Sequence, residues 1–414
     1  MKAVFASADA GRIQTSGKTP VPNAKAPNPN NANETNWRTL RQIRSKKFNQ
    51  LPRAIFSCGS DLLKTGVFYY SVGERWRSIG DFITIPAMRL SVMFAGFAFG
   101  LLGLAAGVWG EELTLTPNDR VLIMAPHPDD EVLCCGGIIQ EAVQQHMPVK
   151  IVFFTYGDYN KWSFSLYRHH PVFRPKAMRA MGAVRHDEAV AAAGVLGVSP
   201  DQLVFLGYPD FETMTLWKSH WGRSPALESR HTRVQAVPYS TALRPGAAYK
   251  GEEILLDLET IVRDFKPTKI FVSHPADQMP DHRALFLFTR AALRNLPKES
   301  FPDLYGYLVH FGAWPEPRGR HQDAALIPPI PLKDREQWMT FPLSGILVNK
   351  KYAALEKHRS QYGYSRRFLT SFVRANELFD RIETPDRWEL DKPGDDSNLS
   401  AVLPGQDSNL QPSR

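Results

Sequence analysis

Residues 120–131 read Arg120-Val-Leu-Ile-Met-Ala-Pro-His127-Pro-Asp129-Asp130-Glu131. The apolar run after Arg120 has the length and continuity of a buried strand. Beyond the acidic residues come Gly136 and Gly137, inside a segment with helical patterning that ends near His146. One imidazole and three carboxylates therefore stand where a strand gives way to a helix. Open α/β sheets build their sites at that end of their strands. His127 and Asp130 are three residues apart, so the first helical turn can aim both at one point. A divalent metal used for hydrolysis needs three protein ligands and an open position. Asp129, lying between the two, is better placed to take a proton from a water whose pKa the metal lowers to roughly 7. Glu131 either supports a ligand from behind or is a helix N-terminal charge that suits the dipole.

The third ligand has to come from elsewhere. Residues 267–273, Pro-Thr-Lys-Ile-Phe-Val-Ser, read as a second short buried strand. It runs into His274-Pro-Ala-Asp277-Gln-Met279-Pro-Asp281-His282-Arg283 and then a helical stretch. His282 is the expected third ligand. Asp277 and Asp281 are candidates to orient a ligand imidazole, as metal-bound histidines usually require. Asp-Asp-Glu ahead of a helix can be capping charge and nothing more. Two such clusters at strand–helix junctions of one pattern argue for a metal site instead.

These residues resemble the LmbE-like, or PIG-L, family of metal-dependent N-acetylglucosaminyl deacetylases, over about residues 118–365. Pro-His-Pro-Asp-Asp-Glu at 126–131 is the most specific element. Thr155-Tyr-Gly-Asp158, Arg185-His-Asp-Glu188, Phe205-Leu-Gly-Tyr-Pro-Asp210, Pro280-Asp281-His282-Arg283 and His358-Arg-Ser360-Gln361 follow in the family's order. The resemblance implies a Rossmann-like fold and a zinc ion held by His127, Asp130 and His282. It implies Asp129 as general base, and Arg185 and Asp210 as groups that reach sugar hydroxyls. The alternative for Arg185 is an i,i+3 ion pair with Glu188. One departure stands out. Several members carry His three residues before the last ligand, where it polarises the amide oxygen, and here that position is Met279. A thioether donates no hydrogen bond, so His274 is the expected substitute as oxyanion donor.

Charge divides the chain. Residues 1–89 hold 14 Lys/Arg against 5 Asp/Glu, a net of +9, which against the total of +8 leaves −1 for the remainder. The basic balance thus belongs to an N-terminal arm, and no nucleic-acid module accompanies it. Residues 18–36 are rich in Pro and Asn and lack the apolar content to build a core. Residues 90–109 carry no charged side chain, and about 20 such residues suffice to cross a bilayer. Arg75, Arg77 and Arg89 precede the run, while Glu111 and Glu112 follow it. That bias leaves the N-terminus cytoplasmic and the catalytic region outside. Met88-Arg89 ahead of the apolar run, with Ala105-Ala106-Gly107 at its end, also reads as a signal peptide. Translation would then begin at Met88, and an intact mass that includes residues 1–87 would rule this out. The tail 393–414 is polar and expected to be disordered. Cys58, Cys134 and Cys135 are an odd set with no Cys-x-x-Cys spacing, so neither a disulfide framework nor a Cys metal site is expected.

The expected fold is α/β, an LmbE-like, Rossmann-like parallel sheet flanked by helices over residues 118–380, preceded by one hydrophobic helix in 88–110. Strands are predicted at 120–125, 149–155, 203–206 and 269–273, and helices at 131–146, 176–196, 251–264, 282–295 and near 350–360. Two long connections, 157–175 and 211–250, are rich in aromatic and basic residues and suit substrate-covering loops. Within them His169, His170 and His220 are not expected to be ligands. The expected activity is removal of an N-acetyl group from an amino sugar or glycoconjugate, with zinc as cofactor and iron or cobalt compatible with the same ligands. The alternatives are an amidohydrolase acting on another substrate, such as a thiol conjugate, and a catalytically weak glycan-binding protein.

Overall fold

The computed structural model describes residues 111–168, 173–294 and 296–382. The basic arm, the apolar run 90–109, His169, His170 and the tail lie outside the described residues. Among the described residues, no helix is long and apolar enough to cross a membrane.

The sheet is built outward from Val121–Ala125 (β2), whose five residues are all buried. Such a continuous apolar run demands cover on both faces, which parallel strands obtain from crossover helices. Each fully buried Val, Leu or Ile here contributes about 1.5–3 kcal/mol of transfer free energy. Val149–Thr155 (β3) and Lys269–Ser273 (β5) flank β2 in parallel, with Ile123 opposite Ile151 on one side and Phe271 on the other. Leu203–Tyr208 (β4) extends the sheet beyond β3, and Asp303–Tyr307 (β6) extends it beyond β5, both in parallel.

The remaining strands depart from the all-parallel expectation. Asn376–Ile382 (β8) runs antiparallel to β6 and to Trp338–Pro342 (β7), and Glu111–Glu112 (β1) pairs with β7. The sheet is mixed, in the order β1-β7-β8-β6-β5-β2-β3-β4. The cause is the number of helices between β7 and β8. A single crossover helix returns the chain to the starting end of the sheet and gives a parallel neighbour. Two helices in succession return it to the end it left, so β8 enters reversed.

The helices are Asp130–Gln144 (α1), Lys161–Arg168 (α2), Pro175–Leu196 (α3), Thr213–Ser219 (α4), Gly251–Phe265 (α5), Pro280–Leu293 (α6), Gly345–Leu355 (α7) and Arg359–Leu369 (α8). Helix α1 is buried along most of its length, Cys134 and Cys135 included, and both thiols are free. Gly137 permits its close approach to the strand edge. A Cβ there would stand 2.2 Å from Leu343 Cδ2, and the Gly137 N–H donates to Glu377 Oε1 at 2.7 Å. Glu377 Oε1 is also 2.6 Å from the buried Lys351 Nζ, so this carboxylate ties α1, α7 and β8 together.

Candidate metal centre

Five parallel strands end on the same side of the sheet, and each delivers a polar residue just past its last position. These are His127–Asp130 after β2, Asp158 after β3, Asp210 after β4, His274–His282 after β5 and His310 after β6. Most of them, with residues from α8, line a cavity of about 580 Å³, the size range of a small-molecule site.

His127, Asp130 and His282 are brought together, with one ligand atom of each within 4.8 Å of the others. Asp130 Oδ2 is 3.2 Å from His127 Nδ1 and 3.4 Å from His282 Nε2. The other nitrogen of each imidazole faces a carboxylate. His127 Nε2 lies 3.1 Å from Asp210 Oδ1 and 3.3 Å from Asp281 Oδ2, and His282 Nδ1 lies 3.2 Å from Asp277 Oδ2. Both nitrogens of His282 are buried without a well-aligned hydrogen bond. Backing of this kind fixes the tautomer of a ligand histidine. The positions suggested for Asp277 and Asp281 from sequence are thus beside the imidazoles.

Charge balance supports the fit. Burial works against a charge on His127, yet hydrogen bonds to Asp130, Asp210 and Asp281 outweigh it and raise its pKa well above the ordinary value. His282 behaves alike, with Asp277 and Asp130 overcoming burial to bring it to about 9. Four buried carboxylates around two imidazoles form a pocket that attracts cations. A divalent ion can replace those protons, and nitrogen and oxygen donors in this ratio suit zinc. Two further groups of potential ligands lie among the described residues: His127 with Asp210 and Asp281, and His274 with Glu336 and Asp380. The first is compromised because Asp281 already accepts from Phe211 N, Thr213 N and Thr213 Oγ1.

Asp129 lies against the metal ligands under unusual constraint. As N-cap of α1 it has φ 132° and ψ −29°, a conformation costly for any residue with a Cβ. Its amide donates to Glu131 Oε2 at 2.9 Å, so Glu131 braces the turn. His358 Nε2 lies 3.0 Å from Glu131 Oε1 on the other side. Burial pushes the Asp129 carboxyl up to about 7, against the pull of Arg185 and with the push of Asp130.

Arg185 takes a different place from either expectation. It is buried and donates Nη1 to Gly157 O at 2.9 Å and Nη2 to Pro128 O at 2.6 Å, with Nη2 also 3.4 Å from Asp129 Oδ1. Glu188, its supposed ion-pair partner, instead accepts from Ser360 N and Oγ. Arg185 therefore clamps the Asp129 turn, and its Nε has no partner among the described residues. Asp210 accepts from Tyr159 N at 2.8 Å in addition to facing His127. Both residues still line the cavity.

His274 is the principal correction. It does not line the cavity. Its Nδ1 accepts from Ala276 N at 3.0 Å, its Nε2 lies 3.1 Å from Asp380 Oδ2, and the ring stacks on Trp338. Both nitrogens are thus spent on β8 and on the local turn. Position past a strand end does not say to which side the ring turns, and His274 turns under the sheet extension. The residue that sequence reasoning missed is His310. It lines the cavity beside Met279, with its ring 4.9 Å from that of His282, edge to face. Its amide donates to Asp277 Oδ2 at 2.9 Å, and burial lowers its pKa to about 4, which keeps it neutral. The signal was present: Tyr305-Gly-Tyr-Leu-Val-His310 is another apolar run ending in an imidazole.

Of the two long connections, Asn160 from the first and Phe211 from the second reach the cavity wall. Tyr159 stacks on His231 and meets the edge of Phe211, so the two connections pack on each other. His220 turns to Pro225 O instead.

Residues 122–293 match the family PIG-L, GlcNAc-PI de-N-acetylase. The chain is 24% identical over 247 residues to a probable N-acetyl-alpha-D-glucosaminyl L-malate deacetylase 2 of Bacillus anthracis, covering 59% of this chain and 83% of that protein. It is 29% identical over 189 residues to a 1D-myo-inositol 2-acetamido-2-deoxy-alpha-D-glucopyranoside deacetylase of Saccharopolyspora erythraea, covering 45% of this chain and 57% of that protein. Among solved structures it is similar to an N,N'-diacetylchitobiose deacetylase from Pyrococcus horikoshii, with TM-score 0.39 and 19% identity over 73% of this chain and 95% of the other. Residues 122–293 of this chain form a domain of the PIG-L, LmbE-like type, whose curated relatives are deacetylases.

Proposed function

We propose that this protein removes the acetyl group from an N-acetylated amino sugar of the N-acetylglucosaminide type. The observation that carries the reading is the convergence of His127, Asp130 and His282 beside a strained, Arg-clamped Asp129 in one cavity. His127, Asp130 and His282 would hold zinc, which when bound polarises the acetamide carbonyl and acidifies water. Asp129 takes the proton from the attacking water and returns it to the departing amine, so that acetate and the free amino sugar leave. Its strained backbone and the Arg185 clamp hold the carboxylate in one place, the condition for efficient proton transfer. His310 supplies the N–H that stabilises the oxyanion, in the position that Met279 cannot serve. Asp210 meets sugar hydroxyls at the cavity wall, and Arg185 acts through its hold on the Asp129 turn.

The apolar run 90–109 supports an extracytoplasmic domain, anchored or released; protection of the domain from protease in intact cells would contradict that placement. The activity is tested by incubating purified protein with an N-acetylglucosaminide, with and without chelator. Release of acetate that chelator abolishes and added zinc restores is the expected result. No acetate from the metal-loaded protein would overturn the reading.

A further inference from the structure

At the end of the cavity away from β2, Arg318 is held in an arrangement that its own fold does not use. The backbone is pinned on both sides: Arg374 Nη2 donates to Pro317 O at 2.6 Å, and Gly319 N donates to Ser371 Oγ at 2.8 Å. The guanidinium lies over the ring of Phe368, 4.6 Å from its centroid. Phe368 stacks in turn on His310, which packs edge-on to the ligand His282. A column of side chains thus runs from the metal cluster to Arg318, and all but its His282 end lines the cavity.

Arg318 makes no ion pair and its side chain makes no hydrogen bond among the described residues, and its Nη1 is buried without a partner. The other arginine of the cavity wall, Arg185, is committed to Asp129, Pro128 and Gly157. The acidic residues of the cavity are committed likewise, Asp130 and Asp210 to the imidazoles. An immobilised, partly dehydrated guanidinium costs free energy until an anion meets it, and its planar fork matches a carboxylate or a phosphate. A substrate whose acetamide faced the metal cluster and whose aglycone followed the column would bring that substituent to this group.

We propose that Arg318 is a specificity-determining residue that binds an acidic group, carboxylate or phosphate, carried on the aglycone of the amino sugar. The inference rests on the deacetylase reading and goes beyond it by naming the class of substrate. Arg318 acts on binding, through the substrate's remote end, and not on the reacting atoms.

The test uses three probes with the zinc-loaded full chain: methyl N-acetylglucosaminide, 2-carboxyethyl N-acetylglucosaminide and N-acetylglucosamine 1-phosphate. The quantity read is the ratio of kcat/KM for each acidic probe to that for the methyl glycoside. The wild type is expected to favour at least one acidic probe by about 10- to 100-fold, the range of a charge-assisted hydrogen bond. In Arg318→Gln the ratio falls to about one, mainly through KM, and Arg318→Lys recovers part of it. Which acidic probe is favoured tells carboxylate from phosphate. A ratio near one in the wild type, or one that Arg318→Gln leaves unchanged, overturns the proposal whatever the absolute activities. If no probe is turned over, the deacetylase reading fails first. The same comparison of acidic and neutral probes by equilibrium binding, wild type against Arg318→Gln, then decides the role of Arg318 separately.

Discussion

Asp277 sets Oδ2 3.2 Å from Nδ1 of His282, and the same oxygen accepts from the amides of Val309 and His310. Its other oxygen accepts from Met279 N. Burial works to raise this carboxyl, but His282 and His310 outweigh it and hold it at about 2, and the one carboxylate joins the turn after β5 to the turn after β6. Asp277→Asn keeps the shape and removes the charge behind the ligand imidazole. Zinc affinity, measured by chelator competition, is expected to fall about 10- to 100-fold, the usual cost of losing a ligand's supporting carboxylate. A change under about threefold would show that His282 needs no such support.

Asp129 does not lie among the residues that would hold the ion. Asp129→Asn should therefore retain stoichiometric zinc while kcat falls by about 10²–10⁴, the range for loss of a positioned general base. Metal content by elemental analysis and acetate release are measured on the same sample. Loss of zinc together with loss of activity would instead make Asp129 a ligand.

How much of the fold is legible in the sequence follows from the range over which each signal acts. Strand β2 was legible because burial on both faces leaves five consecutive apolar residues, and His127–Asp130 because the ligands follow that strand immediately. Strands β7 and β8 were not. Asn376-Glu-Leu-Phe-Asp-Arg-Ile382 mixes charge with apolar residues, since Glu377 and Asp380 are buried against partners that include Lys351 and His274. Those partners lie far off in sequence, so the strand looks exposed when read alone. The reversal of β8 depended on splitting one expected helix near 350–360 into α7 and α8. Arg185 was placed at the site, but its clamp on Pro128 and Gly157 is made to backbone carbonyls, which carry no sequence signature.

The two histidines that compete for the oxyanion role separate by substitution. His310→Phe keeps a ring against Phe368 and removes the donor, so kcat is expected to drop about 10²–10³ with KM little changed. His274→Phe removes the partner of Asp380, whose other oxygen still accepts from Gln337 N. That variant should lose about 1–3 kcal/mol of stability for the carboxylate oxygen left unpaired, with kcat within a few-fold of wild type. The reverse pattern would return the donor role to His274.

Asp158 gives the fold a pH dependence of its own. It is buried after β3, accepts from Tyr239 Oη, and has Asp210 and Arg185 as charged neighbours. Burial first, then the like charge of Asp210, pushes its carboxyl up to about 7, against Tyr239 and Arg185. The folded state therefore keeps a proton that the unfolded chain releases near 4. The group's contribution to stability is complete below about pH 4, declines as pH rises toward 7, and is constant above that. Asp158→Asn can still accept the tyrosine hydroxyl but has no charge to bury. In urea unfolding, the variant should gain on the wild type as pH rises from 4.5 to 8, at up to about 1.4 kcal/mol per pH unit. Parallel stability profiles would mean that Asp158 ionises in the fold as it does in water.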